Sequence, residues 1–158
     1  MRAYADTSFL AKLAGREPGS EKAVAEFRRL GSPQLFYLPL HALEVPNAFR
    51  QRAFHLRRSA TPQQRRAIDR ERDAALARIG LWLERGSLLE ITADCDVAFA
   101  HARELSTRHT ERLGCRGFDL LHVAFALDLK CEAFLTADRV QGELARAEGL
   151  AVTVCDAG

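Results

Sequence analysis

The sequence predicts an α/β protein, a three-layer sandwich in which a mostly parallel central sheet of about five strands lies between layers of helices. Short apolar segments alternate along the chain with longer segments of helical periodicity, which is the pattern of a parallel sheet covered on both faces. The chain has 158 residues, 47% of them hydrophobic, which is enough to bury one substantial core. We therefore expect a single domain over residues 1–158.

Five short apolar segments are predicted as strands, because Gly, Pro or a helix-capping residue adjoins most of them. They are Arg2 to Ala5, Gln34 to Leu38, Leu88 to Ile91, Ala133 to Thr136 and Ala151 to Val154. In an open parallel sheet, ligand sites form at the edge where the carboxyl ends of the strands lie. Residues that directly follow these segments are therefore candidates for a functional site.

Capping residues indicate two helices in the first half of the chain. Ser20 is predicted to cap a helix that extends to Leu30. Thr61 followed by Pro62 is a strong start signal for a long helix that extends to Arg85.

Three further helices are predicted. A helix from about Leu40 to Arg57 contains Pro46, which has no N–H to donate and disfavours helical geometry in the residue before it, so we expect a kink or a late start. Asp94 or Asp96 is predicted to cap the next helix. Gly117 precedes the segment FDLLHVAFALDL, which is apolar nearly all round and indicates a central helix.

Charge is concentrated in residues 50–85, which hold ten arginines against four acidic residues, whereas the whole chain has a formal net charge of only +2. We interpret this segment as an Arg-rich helical hairpin within the domain. Arg57, Arg58, Arg65 and Arg66 are candidates for contacts with RNA phosphates or with a protein partner. A solvated charged face with internal ion pairs is the plainer alternative.

Composition excludes several classes of protein. The balance of 23 basic and 21 acidic side chains excludes strongly acidic, disordered and collagen-like chains. No apolar segment approaches the roughly 20 residues of a membrane-spanning helix, and Asp6 falls where a signal peptide has its apolar centre, so we expect a cytoplasmic protein. The four cysteines lack metal-site spacing and are expected to be reduced thiols in the core.

Four acidic residues occupy positions where function is a natural explanation. Asp6 directly follows the first predicted strand and Asp138 follows the fourth, so both are expected at the carboxyl edge of the sheet. Asp119 begins the apolar helix, and Glu44 lies among apolar neighbours, where an ionised carboxylate is costly unless compensated. Converging carboxylates would repel one another unless Mg²⁺ or Mn²⁺ neutralised them. Such ions activate water against phosphodiesters, so the cluster predicts a metal-dependent nuclease.

Each of these acids also has a purely structural interpretation. Asp6 and Asp138 would serve equally well as helix caps, and Asp119 would interact favourably with the dipole of its helix. Glu44 would pair with a buried arginine such as Arg116.

Four neighbouring residues are secondary candidates. Ser8 and Thr136 would orient a carboxylate or simply satisfy backbone groups at the strand ends. Arg116, three residues before Asp119, would contact a phosphate or form a structural ion pair. His122 shares the helix face of Asp119 and is interpreted as a packed, neutral histidine rather than a metal ligand.

The order and contexts of the four acids resemble the PIN domain family, and most closely its VapC-type toxins. The segments that carry the resemblance are DTS after the first strand, the isolated Glu44, RGFDLLHVAFAL and FLTADRVQGELARAEGL, which together span nearly the whole chain. The resemblance implies a PIN-like fold and a metal-dependent ribonuclease in which Asp6, Glu44, Asp119 and Asp138 hold Mg²⁺ or Mn²⁺. It also implies a homodimer, a small cognate antitoxin and an RNA substrate.

Two other functional classes are kept open. The Asp at the end of the first strand also resembles the nucleophile of haloacid-dehalogenase-like phosphatases, but those enzymes carry a second Asp two residues later, where this chain has Ser8. The other alternative is a non-catalytic PIN-like module that binds metal or RNA through the same acids.

Overall fold

The computed structural model describes residues 1–155, whose five strands form one fully parallel sheet. The order across the sheet places the first strand at the centre, as β3-β2-β1-β4-β5. The strands are β1 (Ala3–Ala5), β2 (Leu35–Tyr37), β3 (Leu88–Glu90), β4 (Ala133–Thr136) and β5 (Ala151–Val154). All five predicted strands are confirmed, and no end differs by more than one residue.

Seven helices connect the strands in the described part of the chain. The caps of two of them agree with the sequence, because the Thr61 side chain accepts a hydrogen bond from the Gln64 N–H and the Asp94 side chain accepts one from the Val97 N–H. The helices are α1 (Thr7–Ala14), α2 (Ser20–Arg29), α3 (Pro39–Arg57), α4 (Pro62–Glu84), α5 (Cys95–Leu113), α6 (Gly117–Asp128) and α7 (Arg139–Ala147).

Two details of the helix starts differ from prediction. Ser20 is the first residue of α2 and not its cap, because Gly19 precedes it with φ 88°, and the Ser20 hydroxyl instead accepts a hydrogen bond from the Glu17 N–H at 3.0 Å. The expected late start of α3 is also wrong, since this helix begins at Pro39 and continues through Pro46. Its first turn is stabilised locally, because His41 Nδ1 accepts the N–H of Leu38 at 3.1 Å.

Side chains of the central strands alternate between two cores. Ala3 and Ala5 of β1 belong to a core formed with α1 to α4, whereas Tyr4 points to the opposite face and packs with α5 to α7. Helix α6 is buried without interruption from Leu120 to Ala126, which agrees with its predicted central position. Helices therefore cover both faces of the sheet, and the three-layer α/β architecture is confirmed.

The Arg-rich segment forms the second half of α3 and all of α4, which pack against each other across the short connection 58–61. An ion pair between Arg57 and Asp69, at 3.2 Å, joins the two helices near this connection. At the other end of α4, Arg78 Nε donates a hydrogen bond to the carbonyl of Ala14, the last residue of α1. The hairpin is therefore bonded to α1, on the face of the sheet whose core is formed with α1 to α4.

The cysteines and the hydropathy of the helices complete this description. Cys115, Cys131 and Cys155 are buried, as expected, whereas Cys95 is exposed at the start of α5 and does not belong to the core. Between residues 1 and 155, no helix combines the length and the apolar character that a membrane span requires.

Packing of α7 on the sheet depends on Gly142, and its replacement by Ala is expected to destabilise the fold. A Cβ at position 142 would lie 2.7 Å from Val154 Cγ2, which belongs to a stiff side chain on β5. We expect Gly142→Ala to cost about 1 to 3 kcal/mol in the free energy of unfolding, measured with urea.

The matched control is Gly80→Ala on α4, where no atom lies within 4 Å of the added Cβ. This change is expected to stabilise the protein by up to about 1 kcal/mol, because Ala is the better helix former. A Gly142→Ala protein as stable as the Gly80→Ala protein would contradict the close packing of α7.

Candidate active site

The chain order reverses at the centre of the sheet, and the candidate acids lie at that point. From β1 the chain moves outward to β2 and β3 and then returns to form β4 on the other side of β1. In open α/β sheets, such a reversal leaves a crevice at the carboxyl ends of the strands. Asp6 directly follows β1, and its N–H donates to the carbonyl of Leu135 in β4 at 3.0 Å, whereas Asp138 follows two residues after the end of β4.

Asp6 is fully buried, and its carboxylate accepts hydrogen bonds from residues close to the carboxyl ends of β1 and β4. Its Oδ1 accepts the N–H of Phe9 at 2.8 Å and the hydroxyl of Ser8 at 2.7 Å, and its Oδ2 accepts the hydroxyl of Thr136 at 2.5 Å. Burial raises the pKa of Asp6, although the charge of His122 and these hydrogen bonds act in the opposite direction. The carboxylate is therefore held in one orientation at a cost in desolvation.

Thr136 connects Asp6 to Asp138. Its hydroxyl donates to Asp6 and accepts the N–H of Asp138 at 2.8 Å. Asp138 in turn caps α7, since its Oδ1 accepts the N–H groups of Val140 and Gln141 at 2.7 and 3.1 Å. The capping interpretation is thus confirmed for Asp138, and also for Asp6, which caps α1 through Phe9. Capping leaves further lone pairs on each carboxylate for a ligand.

Asp119 is half-buried in the first turn of α6 and is held from both sides. Its Oδ2 accepts the backbone N–H of Arg116 at 2.8 Å, and its Oδ1 accepts Nε2 of Gln141 at 3.0 Å. Burial and the nearby charge of Asp138 raise the pKa of Asp119, against the effect of these two hydrogen bonds. Arg116 therefore contacts this carboxylate through its backbone, while its side chain is exposed.

Gln141 was not among the sequence candidates, and it joins Asp119 to the loop after β4. Its side chain donates to Asp119 and its backbone N–H donates to Asp138. The remaining amide oxygen, Oε1, is buried and has no hydrogen-bond partner among the described residues. A glutamine in the first turn of an amphipathic helix carries no distinctive sequence signal, which is why the pattern of acids alone did not identify it.

Glu44 is bound by a histidine and a threonine, and not by Arg50 or Arg116 as its structural interpretation required. Its Oε2 accepts the hydroxyl of Thr7 at 2.9 Å and lies 2.6 Å from Nε2 of His122. Burial alone would raise the pKa of Glu44, but the hydrogen bond and charge of His122, together with the bond from Thr7, lower it overall. His122 is packed in the core as predicted, yet its polar contacts connect Glu44 to the hydroxyl of Tyr4, 2.8 Å from its Nδ1.

Three of the acids, Asp6, Asp138 and Asp119, are connected through the hydrogen bonds of Thr136 and Gln141, whereas Glu44 belongs to a separate set with Thr7 and His122. Residues 1–155 contain no group of three or more His, Cys, Asp or Glu side chains placed closely enough to bind an ion. The chemistry of the donor set nevertheless fits a hard divalent cation, because carboxylate and hydroxyl oxygens are the ligands that Mg²⁺ and Mn²⁺ prefer. The described arrangement thus supplies suitable ligands at one edge without bringing them to a single point.

The arginines of the hairpin divide into paired and unpaired groups. Arg57 forms its ion pair with Asp69, and Arg65 Nε donates to the carbonyl of Ala60 at 3.1 Å. Arg58 and Arg66 are exposed, and no acid of residues 1–155 lies within ion-pair distance of either guanidinium. Positive charge therefore remains uncompensated near the 58–61 connection.

The opposite pKa shifts of Asp6 and Glu44 predict opposite pH dependences of stability in metal-free protein. The pKa of Asp6 is higher in the folded protein than in the unfolded chain, so protonation of Asp6 at acid pH favours the folded state. This contribution to the free energy of unfolding is lost as pH rises through the folded-state pKa. Asp6→Asn is therefore expected to become more stable relative to wild type between about pH 4 and neutrality. Urea unfolding in EDTA across this range measures the difference.

For Glu44, whose pKa is lowered, the stabilising contribution is present above the unfolded-state pKa and is lost as pH falls through the folded-state pKa. Glu44→Gln is therefore expected to lose stability relative to wild type at neutral pH and to approach it in acid. Relative stability curves that slope in the same direction for the two variants would show that one assignment is wrong.

Comparison with known families adds an independent observation to this geometry. The PIN domain family model matches residues 3–147, which include β1 to α7 and all four acids. No curated protein sequence matches the chain significantly. PIN domains are generally metal-dependent nucleases, and a hydrolase of this kind agrees with an acidic edge at the carboxyl ends of β1 and β4. The match extends over most of the chain, and the chain therefore belongs to the PIN domain family.

Proposed function

We propose that this protein is a Mg²⁺- or Mn²⁺-dependent endoribonuclease and the toxin of a type II toxin–antitoxin pair. The observation that carries the nuclease proposal is the position of Asp6, Glu44, Asp119 and Asp138 around one edge of the sheet, inside the region that the PIN family model matches. The toxin role rests on the resemblance of the DTS, RGFDLLHVAFAL and FLTADRVQGELARAEGL segments to VapC-type proteins.

In this proposal the four acids are the metal ligands, and the residues around them keep their oxygens in place. A bound divalent ion supplies charge neutralisation at the phosphate and lowers the pKa of water. Ser8 and Thr136 bind Asp6 from two sides, so its carboxylate is oriented before any ligand arrives. Glu44 has a lowered pKa, so it carries the negative charge that cation binding requires.

RNA is proposed to reach this edge along the Arg-rich hairpin. Arg57 lies thirteen positions after Glu44 on α3, so the connection between α3 and α4 lies roughly 20 Å from Glu44 along the helix. Arg58 and Arg66 are exposed without an acid partner in the described chain, so they are available to phosphates, whereas Arg57 is engaged with Asp69. Contacts of this kind position RNA but do not read its sequence.

A homodimer, a small antitoxin and a structured RNA target are proposed from the VapC resemblance alone. The phosphatase alternative lacks the second acid that those enzymes carry, because Ser8 occupies its position and donates to Asp6. If the protein binds metal but cleaves no RNA in the following test, the non-catalytic module is favoured.

Cleavage of RNA is expected to require both a divalent ion and the acids. Protein freed of any co-purified partner should cleave end-labelled total RNA with Mn²⁺ or Mg²⁺ but not with EDTA. Asp6→Asn or Asp119→Asn should abolish cleavage because a metal ligand is lost. The thermal midpoint at neutral pH should fall by no more than a few degrees, since Asn keeps the size and shape of Asp and one of its two acceptor oxygens.

Cleavage at the wild-type rate by either Asn variant would remove that residue from the proposed ligand set. Metal binding in calorimetry without cleavage of any RNA would favour the non-catalytic module.

Loss of the unpaired hairpin arginines is expected to weaken RNA binding. Arg58→Gln/Arg66→Gln should lower the affinity for RNA in EDTA and make the salt dependence shallower by about 1.4 in the slope of log K against log[salt], if each arginine contacts one phosphate of a single strand. The matched control is Arg28→Gln/Arg103→Gln, which removes two other exposed charges, one on α2 and one on α5. Equal slopes for the two double variants would show that the hairpin arginines do not contact RNA phosphates and serve only solvation or protein contacts.

A further inference from the structure

We propose that His122 is a positioning residue that holds Glu44 in the orientation required of a metal ligand. This inference rests on the proposed function, in which Glu44 binds the ion. His122 lies one turn after Asp119 on α6, and its side chain reaches across to α3, where Glu44 is located. The contact therefore joins two helices that are far apart in sequence at the point where each contributes an acid.

The direction of the hydrogen bonds follows from the partners on the two ring nitrogens. The ionised carboxylate of Glu44 can only accept, so Nε2 of His122, 2.6 Å away, carries the ring proton and donates it. In the neutral ring Nδ1 is then an acceptor, and it accepts from the hydroxyl of the fully buried Tyr4 at 2.8 Å.

Two donors converge on a single oxygen of Glu44. His122 Nε2 and the Thr7 hydroxyl both bind Oε2, whereas within residues 1–155 no hydrogen bond to Glu44 involves Oε1. A glutamate side chain loses considerable rotamer freedom when it is held in this way. His122, which is 1% exposed, already orders the Glu44 side chain in the absence of an ion, so this rotamer entropy is not lost when an ion binds. Oε1 of the partly exposed Glu44 side chain is left as the ligand atom.

Hydrogen-bond partners that orient a metal ligand commonly change metal affinity by 10- to 100-fold when removed. A merely structural histidine would change stability and leave affinity unaltered. The two roles are therefore separable by measuring Mn²⁺ affinity and stability on the same variants.

The test compares His122→Asn with His122→Gln in calorimetric titrations of the full chain with Mn²⁺. The amide of Asn can still accept the Tyr4 hydrogen bond but is too short to reach Glu44, whereas Gln places its Nε2 near the position of histidine Nε2. We expect affinity for Mn²⁺ to fall at least tenfold in His122→Asn and to remain within about threefold of wild type in His122→Gln. Thr7→Val, which removes the other donor on Oε2 at a partly exposed position, should weaken binding to a smaller extent.

Val123→Ala is the matched stability control, because it destabilises the same buried stretch of α6 without touching an acid. It should bind Mn²⁺ as wild type does, while His122→Asn should also lower kcat with little change in KM for RNA. Wild-type Mn²⁺ affinity in His122→Asn, or an equal loss in His122→Gln, would overturn the positioning role while the nuclease proposal stands. Unchanged Mn²⁺ binding in Glu44→Gln would likewise overturn the positioning role, because it removes Glu44 from the ligand set. Absence of Mn²⁺ binding in the wild-type protein would overturn both proposals.

Discussion

The burial of a carboxylate between the two central strands is the constraint on which the site depends. Asp6 begins α1 as its cap, follows β1 directly and is bonded to Thr136 at the end of β4, so one side chain fixes the relative positions of a helix and two strands. Water is excluded from Asp6, and its hydrogen bonds replace hydration only in part, which is why its pKa remains raised. An uncharged residue would avoid this desolvation cost, which supports the proposal that the carboxylate binds a metal ion.

Much of the fold was predictable because the signals that define it are local. Each strand is a short apolar segment beside a turn or cap, and Thr61, Pro62 and Asp94 specify helix starts through the nearest few residues. The predictions that failed concern the starts of α2 and α3, where one residue not considered in the pattern sets the local geometry. Gly19 displaced the cap from Ser20, and the bond from the Leu38 N–H to His41 allowed α3 to begin well before Pro46.

The sequence selects the candidate acids and part of their surroundings. Asp6 and Asp138 are candidates by their positions after strands, and Asp119 and Glu44 by charge in apolar surroundings. Ser8 and Thr136 are sequence candidates that do bind Asp6, whereas partners from distant helices carry no pattern of their own, as the contact of His122 with Glu44 illustrates across 78 positions. Only the topology of the sheet, with β4 returning beside β1, brings such pairs together.

The central position of β1 also bears on the order in which the protein is synthesised. Of the five strands, β1 is made first, and it is flanked on one side by β2 and on the other by β4, so one of its edges stays unpaired until residues near 136 have been made. Asp6 meets Thr136 across 130 positions of sequence, and Asp138 is made later still. A nascent chain therefore holds an incomplete set of acids until β4 has been made, and the acidic edge is assembled only when β4 pairs with β1.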